Sequence, residues 1–368
     1  MSDYMKLLDE TNAKIIEGLG KYGPRNTVSL AKSIGLPRST VAFRIKKLKK
    51  NVDLEVNARV DFTKLGLKRA IVIAETLPGK WNKLWEVFEN LRYLTYLTKC
   101  HGRFYGCYAI FAFPVEYKAK LKEYFEEAKR LKALSRYLLF WITNLCEVYP
   151  NFDWFNFKEK KWAFEWSKWV EEISKASERL PECLIDPKEY PIMADGKDLL
   201  ILRELEKNGM IEFNELAKII SITPQSAAHR YYKHILKRNL VIDYDVKYFP
   251  YSYQISDTCI FFIGFKDEKA LAKFGNTLDD KPFVLSYGKV LGENTLIANT
   301  YTPKAEFRNL IESLERLAEM NFVKNFFHVM LTLLPHKRGG VPYEFFKNGA
   351  WQYNRKENLE RLRKIVGQ

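Results

Sequence analysis

The chain has 368 residues, enough at roughly 100–200 residues per domain for two to four domains with cores of their own. Lys and Arg number 60 against 45 Asp and Glu, a formal net charge of +15 that favours contact with a polyanion through counterion release. Met1-Ser2-Asp3-Tyr4-Met5 lacks the basic and apolar regions of a secretion signal, and the longest apolar runs are about half of what spans a bilayer, so a soluble, cytoplasmic protein with no membrane contact is expected.

Residues 9–20 place Ile15, Ile16 and Leu19 on one helical face, and the helix is expected to stop between Gly20 and Pro24, where glycine and proline break the pattern. Residues 27–34 predict a second helix that buries Val28, Leu30, Ala31 and Ile34 and ends at Gly35, a residue suited to the tight turn of a helix-turn-helix. Pro37 sits just ahead of a third helix, with Val41, Ile45 and Leu48 as its buried stripe. The other face of that helix carries Arg38, Ser39, Thr40, Phe43, Arg44, Lys46 and Lys47. Alternation from Asp53 to Val60 predicts the strand pair of a wing.

Strands over 67–75, 95–102, 104–113 and 136–148, with helices over 80–92 and 115–131, then follow in the order βαββαβ, a ferredoxin-like sheet with helices on one face. The five cysteines, at 100, 107, 146, 183 and 259, have no C-x-x-C spacing and read as reduced thiols rather than a disulfide framework. Cys100, His101 and Cys107 fall in an expected strand pair with no fourth partner nearby, so no metal site is assigned to them.

The same order recurs in the second half. Leu30-Ala31-Lys32-Ser33-Ile34 matches Leu216-Ala217-Lys218-Ile219-Ile220 at an offset of 186, and that offset also carries Ile15 onto Ile201, Leu19 onto Leu205, Gly23 onto Gly209, Arg44 onto Arg230 and Lys47 onto Lys233. Helices are expected over 197–208, 213–220 and 224–237, a wing over 240–248, and a second βαββαβ run to residue 334. The fold class is therefore α+β, two tandem repeats, each a winged helix-turn-helix followed by a ferredoxin-like domain with an aromatic helical extension. The expected divisions are 1–62, 63–150, 151–196, 197–250, 251–335 and 336–368. Trp162, Trp166, Trp169 and Ile173 in one extension, and Phe346, Trp351, Leu359 and Leu362 in the other, make stripes suited to packing between domains.

Leu30-Ala31, Ile34-Gly35-Leu36, Arg38-Ser39-Thr40-Val41, Arg44-Ile45 and Leu48, followed by Ala58-Arg59-Val60-Asp61-Phe62-Thr63-Lys64-Leu65-Gly66, resemble the Lrp/AsnC (feast/famine) transcriptional regulators of bacteria and archaea. Members have one such unit per chain and dimerise through the sheet domain, so the resemblance implies a dimer fused into one polypeptide. Members often bind an amino acid near a Gly-x-x-Asp turn between the second and third strands. The corresponding turns here, Gly102-Arg103-Phe104-Tyr105 and Gly292-Glu293-Asn294-Thr295, lack the Asp, so no effector and no cofactor are assigned. The resemblance also admits a homodimer presenting four heads and, as for an archaeal member, a general transcription factor as partner.

Double-stranded DNA is the expected partner. Arg38 and Arg44 can offer bidentate donors to guanine, Ser39 and Thr40 can bond bases or phosphates, Phe43 can touch a thymine methyl, and Lys46 and Lys47 suit the backbone. The second head offers Gln225, Ser226, His229, Arg230 and Lys233, with Gln225 suited to adenine, so the two half-sites are expected to differ. The alternative is an architectural protein that grips phosphates without sequence preference. Catalysis is not expected, since the chain has no phosphate-binding glycine loop, no G-x-S-x-G and no H-E-x-x-H, and His229 and His234 lie five apart, a poor spacing for pairing on one helical face.

Overall fold

Asp9 starts the first helix by accepting a hydrogen bond from the Asn12 amide at 2.6 Å, which satisfies one of the orphan donors of the first turn. In the computed structural model, which describes residues 8–52, 54–248, 251–252 and 254–367, this helix is α1, Glu10–Tyr22. The Met1–Met5 segment and Asp53 lie outside the described residues. α2 (Thr27–Ile34) ends at Gly35, whose φ of 73° is left-handed and whose amide closes onto the Ala31 and Lys32 carbonyls. α3 is Arg38–Val52. Ile15, Ile16, Leu19, Leu30, Val41, Ile45 and Leu48 fill the space between these helices. Val28, expected inside, is 61% exposed: it lies two residues before Leu30, and i, i+2 positions face opposite sides of a helix.

The chain continues through β1 (Glu55–Val60), β2 (Leu67–Glu75), α4 (Trp81–Glu89), β3 (Leu94–Gly102), β4 (Gly106–Pro114), α5 (Lys118–Arg130), β5 (Arg136–Ile142) and β6 (Cys146–Glu147). Two short strands, β7 (Phe155–Asn156) and β8 (Lys161–Trp162), and α6 (Trp166–Lys175) lead to a second series. That series comprises α7 (Gly196–Lys207), α8 (Phe213–Ile219), α9 (Pro224–His229), β9 (Val241–Lys247), β10 (Ser256–Phe265), α10 (Glu268–Gly275), β11 (Val284–Lys289), β12 (Thr295–Pro303), α11 (Phe307–Glu319) and β13 (Val323–Arg338).

The wing differs from expectation. β1 does not fold back into a hairpin but pairs antiparallel with β9, from Glu55 opposite Lys247 to Val60 opposite Val241. The alternation in β1 buries Val56, Ala58 and Val60 as a strand should, but the partner strand comes from nearly 200 residues away.

The main sheet has the strand order β5-β2-β4-β3-β13-β10-β12-β11-β6. Its ends meet: Ile142 at the end of β5 bridges Val290 just after β11, and the Leu291 amide donates to the Trp141 carbonyl at 2.8 Å. The sheet thus closes on itself, and the two-residue alternation gives each strand an inner and an outer face. Ile71, Tyr108, Ile142, Ile260, Ile297 and Val329 meet on the inner face. On the outer face Val72 and Phe111 lie under α4 and α5, and Phe261 and Ile263 lie under α10 and α11.

The aromatic extensions are exchanged between the two series. Trp169 and Ile173 of α6 pack with Phe274 and Phe283 of the second series, and Trp169 Nε1 donates to Thr277 Oγ1 at 3.0 Å. Trp351, with Leu359 and Leu362 of the final helix α12 (Arg355–Gly367), packs on the first series, and Trp351 Nε1 donates to the Leu65 carbonyl at 2.6 Å. The strand β13 runs on to Arg338, so residues 336–338 pair in the sheet, with His336 opposite Thr98, rather than opening the second extension.

Cys146 and Cys183 form a disulfide, which corrects the expectation of five reduced thiols, while Cys100, Cys107 and Cys259 are buried and free. Residues 37 apart pair here because the chain folds them together, which spacing alone does not reveal. Cys183→Ser is expected to lower stability by about 2 kcal/mol. A lower Tm without reductant, and a wild-type Tm brought to the same value by dithiothreitol, would bear this out. No helix among the described residues is long and apolar enough to cross a membrane.

Candidate nucleic-acid interface

The helix α3 has no acidic residue between Arg38 and Lys50. Arg38, Ser39, Phe43, Lys46 and Lys47 are exposed, Phe43 at 68%, and Thr40 is half-buried. Arg38 also donates through Nε to Thr27 Oγ1 at 3.0 Å, which braces it against the start of α2. Arg44 Nη1 donates to both carboxylate oxygens of Asp9, at 3.2 and 2.9 Å, and to Asn12 Oδ1 at 3.0 Å, so it pins α3 to the start of α1. A residue expected at guanine thus also makes a bond inside the unit through Nη1, with 31% of its side chain still exposed.

In the second head Gln225, Ser226, His229 and Lys233 are exposed, and Thr223 caps α9 by accepting from the Ser226 amide at 3.2 Å. Arg230 is committed inward as Arg44 is, with Nη1 donating to Asp195 at 3.0 and 2.8 Å and to Asp198 Oδ1 at 2.6 Å. Asp198 is fully buried and also faces His234 Nδ1 at 3.2 Å, so the acid–histidine group Asp195, Asp198 and His234 is already occupied by an arginine. The expected helix over 224–237 widens into π-helical winding from Arg230 to Leu236. Wider winding brings residues five apart close together, and the His229 and His234 rings lie 5.9 Å apart, which corrects the view that their spacing keeps them from meeting.

The two heads dock on each other. Arg25, in the loop before α2, donates to the Ile211 carbonyl and stacks over Phe213 at 4.4 Å and Tyr231 at 5.1 Å. Burial pulls the Lys49 ammonium below its usual range, with Glu212 of the other head opposing the pull. Together with the β1–β9 pairing, these contacts join the two helical units.

Behind β9, where the closed sheet opens toward the heads, lies a cavity of about 280 Å³, lined among others by Arg69, Tyr108, Glu147, Trp162, Asp245 and Asn299. Burial pushes the Glu147 carboxyl up to about 7, the Asp245 carboxylate adds to the push, and Arg59, Arg69 and Lys247 oppose it. Glu206 is likewise pushed up to about 7 by burial, although it accepts from the Val341 amide at 2.6 Å and is drawn down by Arg69 and Arg203. The sequence reading missed these groups. The signal was a charge inside an apolar run, as in Leu67–Ala74 around Arg69.

Glu206 gives a pH prediction. Its folded pKa lies above the ordinary 4.5, so its stabilising contribution is full below about 4.5 and is lost as pH rises through about 7. Glu206→Gln keeps an acceptor for Val341 and removes the titration. Relative to the variant, the wild type is expected to lose on the order of 2 kcal/mol between pH 5 and pH 8. Urea denaturation at both values checks this, and parallel pH dependences would sink it.

No family model matches the chain. An uncharacterised HTH-type transcriptional regulator of Pyrococcus furiosus is 44% identical over 43 residues, which make up 12% of this chain and span 29% of the regulator's own length. Structures of AsnC-type regulators align with about 40% of the chain or less; one from Agrobacterium tumefaciens covers 36% of it at 18% identity with a TM-score of 0.30. The siroheme decarboxylase NirDL aligns over 97% of this chain and 99% of its own, at 14% identity and a TM-score of 0.51. Its complex with an iron-uroporphyrin III analogue aligns over 96% and 97% at the same score. At such identity the likeness is one of fold, and it extends over the whole chain. It corrects the expectation that this architecture carries no catalysis, because a protein that aligns with the chain from end to end is an enzyme.

Proposed function

We propose that the chain is a transcriptional regulator of the AsnC type that binds double-stranded DNA as a fused pseudo-dimer with two non-identical recognition helices. The observation that carries the reading is α3, an acid-free helix face that holds Arg38, Lys46 and Lys47 in solvent beside an exposed phenylalanine. A large apolar ring kept on a cationic surface suits contact with a thymine methyl, and the flanking lysines suit phosphates. The matching trios Asp9, Asn12, Arg44 and Asp195, Asp198, Arg230, each residue 186 positions from its counterpart, support a duplicated unit spanning both heads. In this reading Arg38, Ser39, Thr40 and Phe43 face bases in one half-site, and Gln225, Ser226, His229 and Lys233 face the other.

Selection of bound duplexes from a random pool at near-physiological salt, followed by footprinting, tests it. A bipartite motif of unequal halves, about one helical turn or a multiple of it apart, is the expected result. Binding that enriches no motif and collapses with rising salt would overturn sequence-specific regulation.

A second reading, chemistry in the interior cavity, is favoured by the whole-chain likeness to a decarboxylase fold. The cavity of about 280 Å³ falls just below the ~300–1,000 Å³ typical of ligand pockets, so a tetrapyrrole would require it to open. Incubation with siroheme and mass spectrometry of the product decides: loss of a carboxylate group establishes this reading, and unchanged siroheme removes it for that substrate.

A further inference from the structure

Four residues that line the interior cavity each bury a polar atom without a hydrogen-bond partner among the described residues: Arg69 Nε, Trp162 Nε1, Thr258 Oγ1 and Asn299 Oδ1. They come from four elements, β2, β8, β10 and β12. Strand alternation turns three of them to the inner face, since Arg69 lies two residues from Ile71, Thr258 two from Ile260 and Asn299 two from Ile297. Isolated orphans are strain or chance; four around one cavity are a set of unfilled valences.

The arginine decides the ligand's charge. Its guanidinium stacks over the Phe62 ring at 4.4 Å. Glu206 and Glu147 attract it from a distance, but among the described residues neither forms an ion pair with it. Burial disfavours the charged form of both carboxyls, and neither reaches the guanidinium to pair with it. A buried cation without a paired counter-charge is costly, whereas water can satisfy a hydroxyl or an amide oxygen. The other cations at the cavity are engaged, Lys247 with Asp245 at 3.7 Å and Arg338 with Glu55 at 3.5 Å. One positive charge is therefore open. A second anionic group on a ligand would meet Glu147 or Asp245. Tyr96, Tyr108, Ile110, Ile297 and Leu331 supply the apolar and aromatic remainder of the lining.

We propose that this cavity binds a compact organic monoanion with an aromatic or branched apolar body, its carboxylate on Arg69, its body against Tyr108 and Ile297, and a hydrogen-bonding group toward Thr258 and Asn299. The site stands apart from the DNA-binding reading, and binding is measured without DNA.

The experiment is isothermal titration of the full-length protein at neutral pH with 4-hydroxyphenylacetate, phenylacetate and 4-methylpentanoate, and with 4-hydroxyphenylacetamide as the neutral counterpart. At least one acid is expected to bind saturably, with 4-hydroxyphenylacetate at least tenfold tighter than its amide, the difference a charge-assisted hydrogen bond commands. Arg69→Met removes a buried charge without removing bulk, and is expected to weaken acid binding tenfold or more while leaving the amide unchanged. Asn299→Leu on the opposite wall is expected to erase the advantage of 4-hydroxyphenylacetate over phenylacetate. If Arg69→Met does not fold, the acid-to-amide ratio and Asn299→Leu decide in its place. The proposal is overturned if none of the three acids binds at millimolar concentration, if acid and amide bind alike, or if folded Arg69→Met binds the acid as tightly as the wild type.

Discussion

Lys46→Glu combined with Lys47→Glu is expected to weaken binding to the selected duplex by a hundredfold or more at ~0.1 M salt. Both side chains are exposed on α3, so neither substitution disturbs the core formed by Val41, Ile45 and Leu48. Each phosphate contact contributes about 0.9 to the slope of log K against log salt, so losing two lowers the slope by about 1.8, and the repulsion of the new carboxylates adds to the loss. Random-sequence duplex is expected to lose affinity in the same proportion, because phosphates carry no sequence. Arg38→Ala is the contrasting variant, expected to relax sequence preference more than it changes the salt slope. Fluorescence anisotropy at several salt concentrations separates the two behaviours. Unchanged affinity in the double charge reversal would leave α3 a solvated surface and remove the first head from the DNA interface.

What was legible in the sequence is what is local. The 3.6-residue spacing of Ile15, Ile16 and Leu19, the left-handed residue at Gly35 and the two-residue alternation of Val56, Ala58 and Val60 each follow from a few neighbouring side chains, and each element is found where these place it. Partners are not local. Nothing in β1 says that β9 will pair with it, and nothing in the Trp166–Lys175 helix says that it covers the other series. The candidate site shows the same limit more sharply. Arg44, between Phe43 and Lys46 on a basic helix, reads as a base reader because its acceptor, Asp9, lies 35 residues away. The repeat held the missing clue: the offset that aligns Arg44 with Arg230 also aligns Asp9 with Asp195, and an arginine and an acid duplicated together point to a bond between them. The cavity was less accessible still, since its lining is assembled from several strands and from the connection between the two series.

Arg230→Ala is expected to destabilise the protein by about 3–4 kcal/mol, and Arg44→Ala by no more than about 1 kcal/mol, although the two arginines occupy corresponding positions. The difference lies in what each leaves behind. The Asp9 side chain is 55% exposed, so water takes over from Arg44 at small cost. Asp198 is 0% exposed, and without Arg230 at 2.6 Å its carboxylate keeps His234 at 3.2 Å, Arg238 at 3.8 Å and the Asp195 amide at 3.4 Å, among which no bidentate cation remains. Asp198 also closes the capping box of α7 with Asp195, so the loss reaches the first turn of that helix. Asp198→Asn in the Arg230→Ala background removes the stranded charge and is expected to recover about half of the loss, a coupling that separate, additive sites would not show. Chemical denaturation of the wild type, the two arginine variants, Asp198→Asn alone and the double variant measures it. Equal, small losses for Arg44→Ala and Arg230→Ala would mean that the buried carboxylate is held by its remaining partners, and that the two heads are anchored alike despite the difference in burial.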